Sequence, residues 1–166
     1  AQEGVANLSL PVDSASLEEL VALYGQRIRI GVHGAAKAPA TLATQGADFI
    51  LPDFVTPDIA TIAEALALAC YATAMTPNEV ATALRMPVTG VQLRPAEVVG
   101  PPMAEHLREL GLIDRTIPRG GLIPFTAKQW LSAGAPAVCV GRHLIGDALK
   151  GGDLAALRDR CRNLRN

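Results

Sequence analysis

Four polar side chains stand where apolar, strand-like segments of the sequence end, and their types could do chemistry. His33 follows RIRIGV, Asp53 follows DFILP, and Gln92 and Arg94 lie in GVQLRP. Alternation along a strand puts Gln92 and Arg94 on one face. An imidazole can transfer protons near neutral pH, and a guanidinium can bind a carboxylate or a phosphate. The pattern therefore favours a polar site at one end of a parallel sheet.

Each of these side chains has two interpretations that the sequence leaves open. An inward Arg94 needs an anionic partner, which is either a ligand or an internal carboxylate of Asp53 or Glu97. Gln92 either binds a ligand carbonyl or satisfies the interior of the fold. The alternation along its strand predicts that the His33 side chain points away from the barrel axis. His33 is then either a structural loop histidine or an acid–base group.

Short apolar segments alternate with amphipathic ones along the whole chain. We predict strands at 5–10, 27–32, 48–52, 71–75, 90–95, 114–120 and 137–141. Proline at a first helical position marks helix starts in Thr56-Pro57 and Thr76-Pro77. The repeat predicts parallel strands covered by helices, and a TIM (βα)8-type barrel fits best. Since only seven strands are predicted, either the first strand–helix unit is absent from this chain or the sheet is incomplete. We expect residues 1–166 to form a single domain.

Composition narrows the classes of function. Net charge is −1 over 166 residues, which favours neither a nucleic-acid nor a membrane-surface partner. The sequence contains no 18-residue apolar stretch. Cys70 and Cys139 lie in apolar segments, which is typical of buried thiols in a reducing compartment. We therefore expect a cytoplasmic protein. We expect no cofactor, and no metal site either, because Asp53 and Glu97 alone are a weak set of metal ligands.

Five stretches, in order, resemble one enzyme family: GADFILPDF (46–54), AMTPNEV (74–80), VQLRPAE (91–97), IPRGG (117–121) and VCVGRHLI (138–145). They are similar to the 2-keto-3-deoxy-6-phosphogluconate and 2-keto-4-hydroxyglutarate aldolases. The resemblance implies a TIM-type barrel that commonly assembles as a trimer. It also implies class I aldol cleavage, in which a strand-borne lysine forms a Schiff base with the keto group of the substrate.

The residues that would perform this chemistry are replaced. The lysine position corresponds to Gln92 and the proton-shuttling glutamate to Ser9, while the substrate-binding threonine position is Gly34. The arginine position falls in a deletion around 11–13. Ser9 as a nucleophile would need a nearby base, and the sequence identifies none. Lys37, Lys128 and Lys150 are the only lysines, and Lys37 alone lies on the expected catalytic face.

This sequence matches the binding loops of the family more closely than it matches the catalytic residues. The resemblance implies substrate or phosphate contacts from Pro52, Thr76, Gly120, Gly121 and Gly141. Arg119 and Arg142 flank those glycines and could add charge-assisted hydrogen bonds.

The predicted function is that of a divergent barrel which binds a small anionic metabolite, phosphorylated or carboxylated, and lacks class I aldolase chemistry. A first alternative is an active lyase that releases pyruvate from a 2-keto-3-deoxy sugar acid by an altered, metal-assisted mechanism or one using Arg94, His33 and Asp53. A second alternative is a structural trimeric scaffold. We expect a homo-oligomer, and another chain supplying the missing strand is a further alternative, because exposed strand edges invite pairing.

Overall fold

A computed structural model describes residues 5–34 and 38–165. Six parallel strands form one sheet in sequential order. They are β1 (Asn7–Pro11), β2 (Arg29–Gly34), β3 (Phe49–Pro52), β4 (Ala69–Ala74), β5 (Gly90–Leu93) and β6 (Thr116–Pro118). The α/β architecture and the parallel direction predicted from the sequence are confirmed.

Helices connect the strands and cover the outer face of the sheet. They are α1 (Leu17–Tyr24), α2 (Pro39–Thr44), α3 (Pro57–Ala65), α4 (Pro77–Ala83), α5 (Ala96–Val99), α6 (Pro102–Glu109), α7 (Pro124–Ser132), α8 (Arg142–Ile145) and α9 (Leu154–Arg165). Two short 3-10 helices lie at Ile113–Arg115 and Ala148–Lys150. The predicted helix starts at Thr56 and Thr76 are confirmed, since each threonine hydroxyl accepts a hydrogen bond from the third residue of its helix.

The two faces of the sheet differ in chemistry. On the outer face, Ile30, Val32, Val91 and Leu93 belong to the buried core beneath the helices. Alternate residues point to the opposite, inner face. There, side chains of β5 reach the backbone of β3 across the intervening strand. Because non-adjacent strands meet in this way, the sheet is curled into a half-barrel with a concave inner face.

The seventh predicted strand, 137–141, is wrong as a regular strand. Within the described residues, only a single bridge joins Cys139 to Arg119. The preceding strand explains this loss, because β6 contains three residues and ends at Pro118, which has no N–H to donate. The ladder continues only through the Cys139 N–H, which donates to the Pro118 carbonyl at 2.9 Å. The positive φ of Gly120, 102°, then turns the chain away.

Several sequence-based expectations can be placed on this fold. Cys70 is buried as expected, and burial raises the pKa of its thiol to about 11. Trp130 of α7 is fully buried in the core. In the described part of the chain, no helix has the length and apolar character required to cross a membrane. Lys37 and residues 1–4 lie outside the described residues.

Candidate functional site

Polar side chains collect on the inner face of the half-barrel, at the carboxyl ends of its strands. β1 contributes Ser9, β2 contributes His33, and β5 contributes Gln92. Arg94 and Arg119 come directly after β5 and β6. Strand alternation aims these side chains inward because their neighbours, such as Val32 and Leu93, pack outward into the core.

Gln92 is the centre of a buried hydrogen-bond network. Its Nε2 donates to the Pro52 carbonyl at 2.7 Å, and Arg119 donates to its Oε1 at 2.6 Å. The Thr73 hydroxyl donates to the same Pro52 carbonyl at 2.8 Å. Gln92 has 0% of its surface exposed. The amide thus satisfies polar groups in the interior of the half-barrel.

Arg119 is half-buried beside this network. Burial has the largest effect on the pKa of its guanidinium and lowers it, Arg94 lowers it too, and the nearby Cys139 and Asp53 oppose the shift. A guanidinium nevertheless keeps its charge at neutral pH. The sequence favoured Arg119 as a phosphate ligand, whereas the structure directs the side chain toward Gln92. Burial likewise raises the pKa of the Cys139 thiol, which Arg119 and Arg94 partly offset.

Arg94 is paired with an internal carboxylate. Its Nη1 donates to Asp53 Oδ1 at 2.5 Å, and the two side chains are 43% and 33% exposed. The contact joins the end of β5 to the end of β3 and uses Asp53, not Glu97, as partner. Because both groups remain partly in water, the pair is expected to contribute less than about 1 kcal/mol and to be open to competition by an anion.

Ser9 and His33 form a pair that sequence reasoning missed. Ser9 Oγ and His33 Nδ1 lie 2.7 Å apart. The expectation that His33 points away from the axis is wrong, because β2 continues to Gly34 and keeps His33 on the same face as Gly31, opposite Ile30 and Val32. Only the register of β1 against β2, which places Ser9 opposite Gly31, could have found this contact.

The surroundings of His33 favour its neutral form. Burial is the main cause that lowers the pKa of its imidazole, and Arg119 and Arg94 lower it further. The carboxylates of Asp53 and Asp13 act in the opposite direction. The inner face therefore holds a neutral imidazole against a hydroxyl group, with guanidinium groups nearby.

Comparison with known proteins places the chain in a family. The sequence profile of the KDPG and KHG aldolases matches residues 28–159. The chain belongs to this aldolase family. The family predicted from the five sequence motifs is thereby confirmed.

Solved structures agree with this assignment. A structure described as native KDPGal superposes with a TM-score of 0.84 at 21% identity, over 99% of this chain and 82% of that chain. KDPG aldolase from Legionella pneumophila, with pyruvate captured as a covalent carbinolamine, gives a TM-score of 0.76 at 18% identity, over 98% and 82% of the two chains. A cube-shaped cage designed by fusing symmetric oligomeric domains gives a TM-score of 0.82 at 20% identity, over 99% of this chain and 62% of that chain. No curated protein sequence matches the chain.

The glycines that the aldolase resemblance assigns to phosphate lie at the rim of the site. Gly120 and Gly121 have positive φ angles of 102° and 65°. A Cβ at Gly121 would overlap the carboxylate of Glu97, which packs against this turn. Gly141 and Arg142 are exposed at the start of α8. A carboxylate beside the Gly-Gly turn disfavours a phosphate there by repulsion between like charges.

Two further residues suggested by the aldolase resemblance serve the fold. The Thr76 hydroxyl caps α4, and Glu79 completes the capping box by accepting from the backbone N–H groups of Met75 and Thr76. These hydrogen bonds lower the pKa of the Glu79 carboxyl. The Pro52 carbonyl is already bound by Gln92 and Thr73.

Metal ligands do not converge within the described residues. No group of three or more His, Cys, Asp or Glu side chains is arranged there to hold a cation. Asp53 is held by Arg94, and Glu97 lies against Gly121.

Proposed function

We propose that this aldolase-family protein binds a small carboxylated metabolite on its inner face and has lost Schiff-base chemistry. The observation that carries the proposal is the buried amide of Gln92, at the position where the resemblance places the lysine. Its Nε2 donates to the Pro52 carbonyl and its Oε1 accepts from Arg119. An amide nitrogen is not nucleophilic, so this side chain cannot form an iminium.

The other lysines support the loss of this chemistry. In the described part of the chain, Lys128 lies on α7 and Lys150 in the 3-10 helix Ala148–Lys150, both outside the sheet. The carbinolamine captured in the Legionella pneumophila enzyme requires an amine that attacks the pyruvate carbonyl. The inner-face strand position of Gln92 offers none.

The charges around Gln92 favour a carboxylate as the ligand. Arg119 and Arg94 bring two guanidinium groups to the inner face, and Asp53 offsets one of them. A carboxylate can accept paired hydrogen bonds from a guanidinium or replace Asp53 as the partner of Arg94. The Gly-Gly turn is a weaker site for a phosphate, since the Glu97 carboxylate packs against it.

Calorimetry and thermal unfolding with a panel of anions test this function. The panel contains pyruvate, 2-oxoglutarate, 2-keto-3-deoxy-6-phosphogluconate and inorganic phosphate. We expect the carboxylates to bind and, at 100 times the dissociation constant, to add about 2.7 kcal/mol of stability. Arg119→Gln should weaken binding at least tenfold. Arg108→Gln is the matched control, because Arg108 pairs with Glu105 on the outer helix α6.

The outcomes separate the alternatives. Binding of inorganic phosphate in preference to the carboxylates would move the site to the Gly-Gly turn. The absence of binding by every anion would contradict the proposal and leave the structural scaffold as the better explanation.

A second candidate is an active lyase with an altered mechanism, favoured by the neutral imidazole of His33 on the inner face. Release of pyruvate from 2-keto-3-deoxy-6-phosphogluconate, coupled to lactate dehydrogenase, tests it directly. Release that disappears with EDTA would indicate metal assistance, and release that is insensitive to EDTA would make Lys37 the first residue to replace.

We also propose that the half-barrel corresponds to part of a (βα)8 barrel and that the chain forms a homotrimer. The similarity to a cage component built from symmetric oligomeric domains supports self-association. Phe54 and Phe125, which are 80% and 68% exposed, would supply apolar contact area. Light scattering coupled to size exclusion should give three times the mass of one chain. A monomer, or a complex with a different chain that pairs with a sheet edge, would contradict the trimer.

A further inference from the structure

Ser9 and His33 meet the geometric requirement for an activated nucleophile. A serine is activated when a base lies about 2.6–3.2 Å from its hydroxyl oxygen, and here the Oγ to Nδ1 distance is 2.7 Å. Both residues belong to regular strands that pair with each other, which holds their side chains on a rigid frame. Both are half-buried on the inner face and therefore accessible to a small molecule.

We propose that Ser9 is a nucleophile with His33 as its general base, and that the inner face hydrolyses small esters whose acyl part carries a carboxylate. The choice of a carboxylate rests on the proposed function, whereas the nucleophile rests on the Ser9–His33 geometry alone. The family resemblance places a proton-shuttling glutamate, not a nucleophile, at the position of Ser9, and the sequence left His33 open as an acid–base group without a partner.

The reaction needs only water as a second reactant. Ser9 Oγ attacks the ester carbonyl carbon, its proton passes to His33 Nδ1, and the carbonyl electron pair moves to oxygen. Collapse of this intermediate breaks the bond to the alcohol, which leaves with the proton from His33. Water then gives a proton to His33 and attacks the acyl carbon, and Ser9 takes the proton back as the acid is released. The products are one carboxylic acid and one alcohol.

The surroundings of the pair suit this sequence of steps. A neutral imidazole with its proton on Nε2 can accept the hydroxyl proton at Nδ1. The groups that act on it are Arg119 and Arg94, which disfavour its charged form, and Asp53 and Asp13, which stabilise that form once the proton has been transferred. Arg119 and Arg94 also supply the positive charge that would hold the carboxylate of the acyl group.

Labelling with diisopropyl fluorophosphate tests the nucleophile without a carboxylate. Reaction forms an Oγ–P bond, releases fluoride, and adds one diisopropylphosphoryl group to the intact mass. Peptide mapping of the unaltered protein should place this group on Ser9. Ser9→Ala should abolish it, and Ser132→Ala, on the outer helix α7, should leave it unchanged. His33→Gln should slow labelling by about 100-fold, the size expected for loss of a general base.

Hydrolysis of two 4-nitrophenyl esters tests the substrate class. The monoester of glutarate carries a free carboxylate, and the acetate does not. We expect the ratio of their kcat/KM values to favour the glutarate ester at least tenfold, and Arg119→Gln to reduce this ratio.

Two results would overturn the nucleophile: the absence of a label on Ser9 in the mapped peptides, or equal labelling rates in the wild type and His33→Gln. An unchanged ratio in Arg119→Gln would overturn the substrate class. Because the fluorophosphate carries no carboxylate, its result is independent of the calorimetry that tests the proposed function.

Discussion

The inner face has two halves that treat their polar groups in opposite ways. Around β3, β5 and β6, Gln92 and Thr73 donate to the Pro52 carbonyl, and Arg119 donates to Gln92. Around β1 and β2, Ser9 and His33 bind each other and stay half-exposed. The first half is closed and structural, and the second keeps groups that can move a proton. At the position where the family resemblance places the lysine, this chain has a buried network, whereas Ser9, at the glutamate position, lies beside His33 on β1 and β2.

Full burial of Gln92 is what distinguishes the two halves, because Thr73 and Arg119 are partly exposed, as Ser9 and His33 are. A buried polar group must be hydrogen-bonded, and removal of one partner leaves the other unsatisfied. Gln92 is therefore expected to contribute strongly to stability and to tolerate little change, whereas Arg119 lies at the half-buried edge of the closed half and can be replaced. Half-exposed groups can exchange a protein partner for water, so the open half can change with little loss of stability and can bind a ligand.

The largest expected effect is that of Gln92→Ala in the closed half. The substitution leaves a cavity and removes the hydrogen bonds to Pro52 and Arg119. We expect the free energy of unfolding to fall by about 3 kcal/mol. Urea titration measures it, with Gln129→Ala, on the exposed surface of α7, as the control. A loss below about 1 kcal/mol would show that the network is not structural.

Thr73→Val against Ser9→Ala compares one hydroxyl from each half. Thr73 donates to the Pro52 carbonyl, which keeps its bond from Gln92, so the loss should be about 1 kcal/mol. Ser9→Ala should cost less, since His33 can then bind water. Urea unfolding of both variants checks the order, and a reversed order would remove the distinction between the halves.

The Arg94–Asp53 ion pair lies at the exposed rim between the halves. A double-mutant cycle with Arg94→Gln and Asp53→Asn should give a coupling energy below about 1 kcal/mol that falls further with added salt. A larger, salt-insensitive coupling would mean that the pair belongs to the closed half.

The pH dependence of stability should reflect the protonation of His33 in the open half. Because the folded-state pKa of His33 is lowered, the unfolded chain binds a proton first as pH falls below about 6.5. The contribution of the neutral imidazole is thus complete above that pH and is lost toward the lower folded pKa. Unfolding between pH 7.5 and 5 should show a shallower slope in His33→Gln than in the wild type. Equal slopes, with His143→Gln as the control, would contradict the shift.

Much of the fold follows from local signals in the sequence. Alternating apolar strands and Thr-Pro helix starts predict the parallel α/β sheet, and α3 and α4 begin at the predicted residues. The site depends on features that local patterns do not contain. The Ser9–His33 contact needs the register of β1 against β2, and the contact of Arg119 with Gln92 needs the register of β6 against β5, which pairs Gln92 with Ile117. The prediction of the seventh strand was wrong for a different reason, because Pro118, which ends its partner β6, is itself a local signal against continued pairing.

Borohydride trapping tests the central claim, that the inner face binds a carboxylate without forming a Schiff base. The protein is incubated with pyruvate and sodium borohydride, and its intact mass is measured alongside a calorimetric titration with pyruvate. We predict binding in the titration and an unchanged mass. A mass increase equal to one reduced pyruvate adduct, mapped to a lysine, would contradict the account.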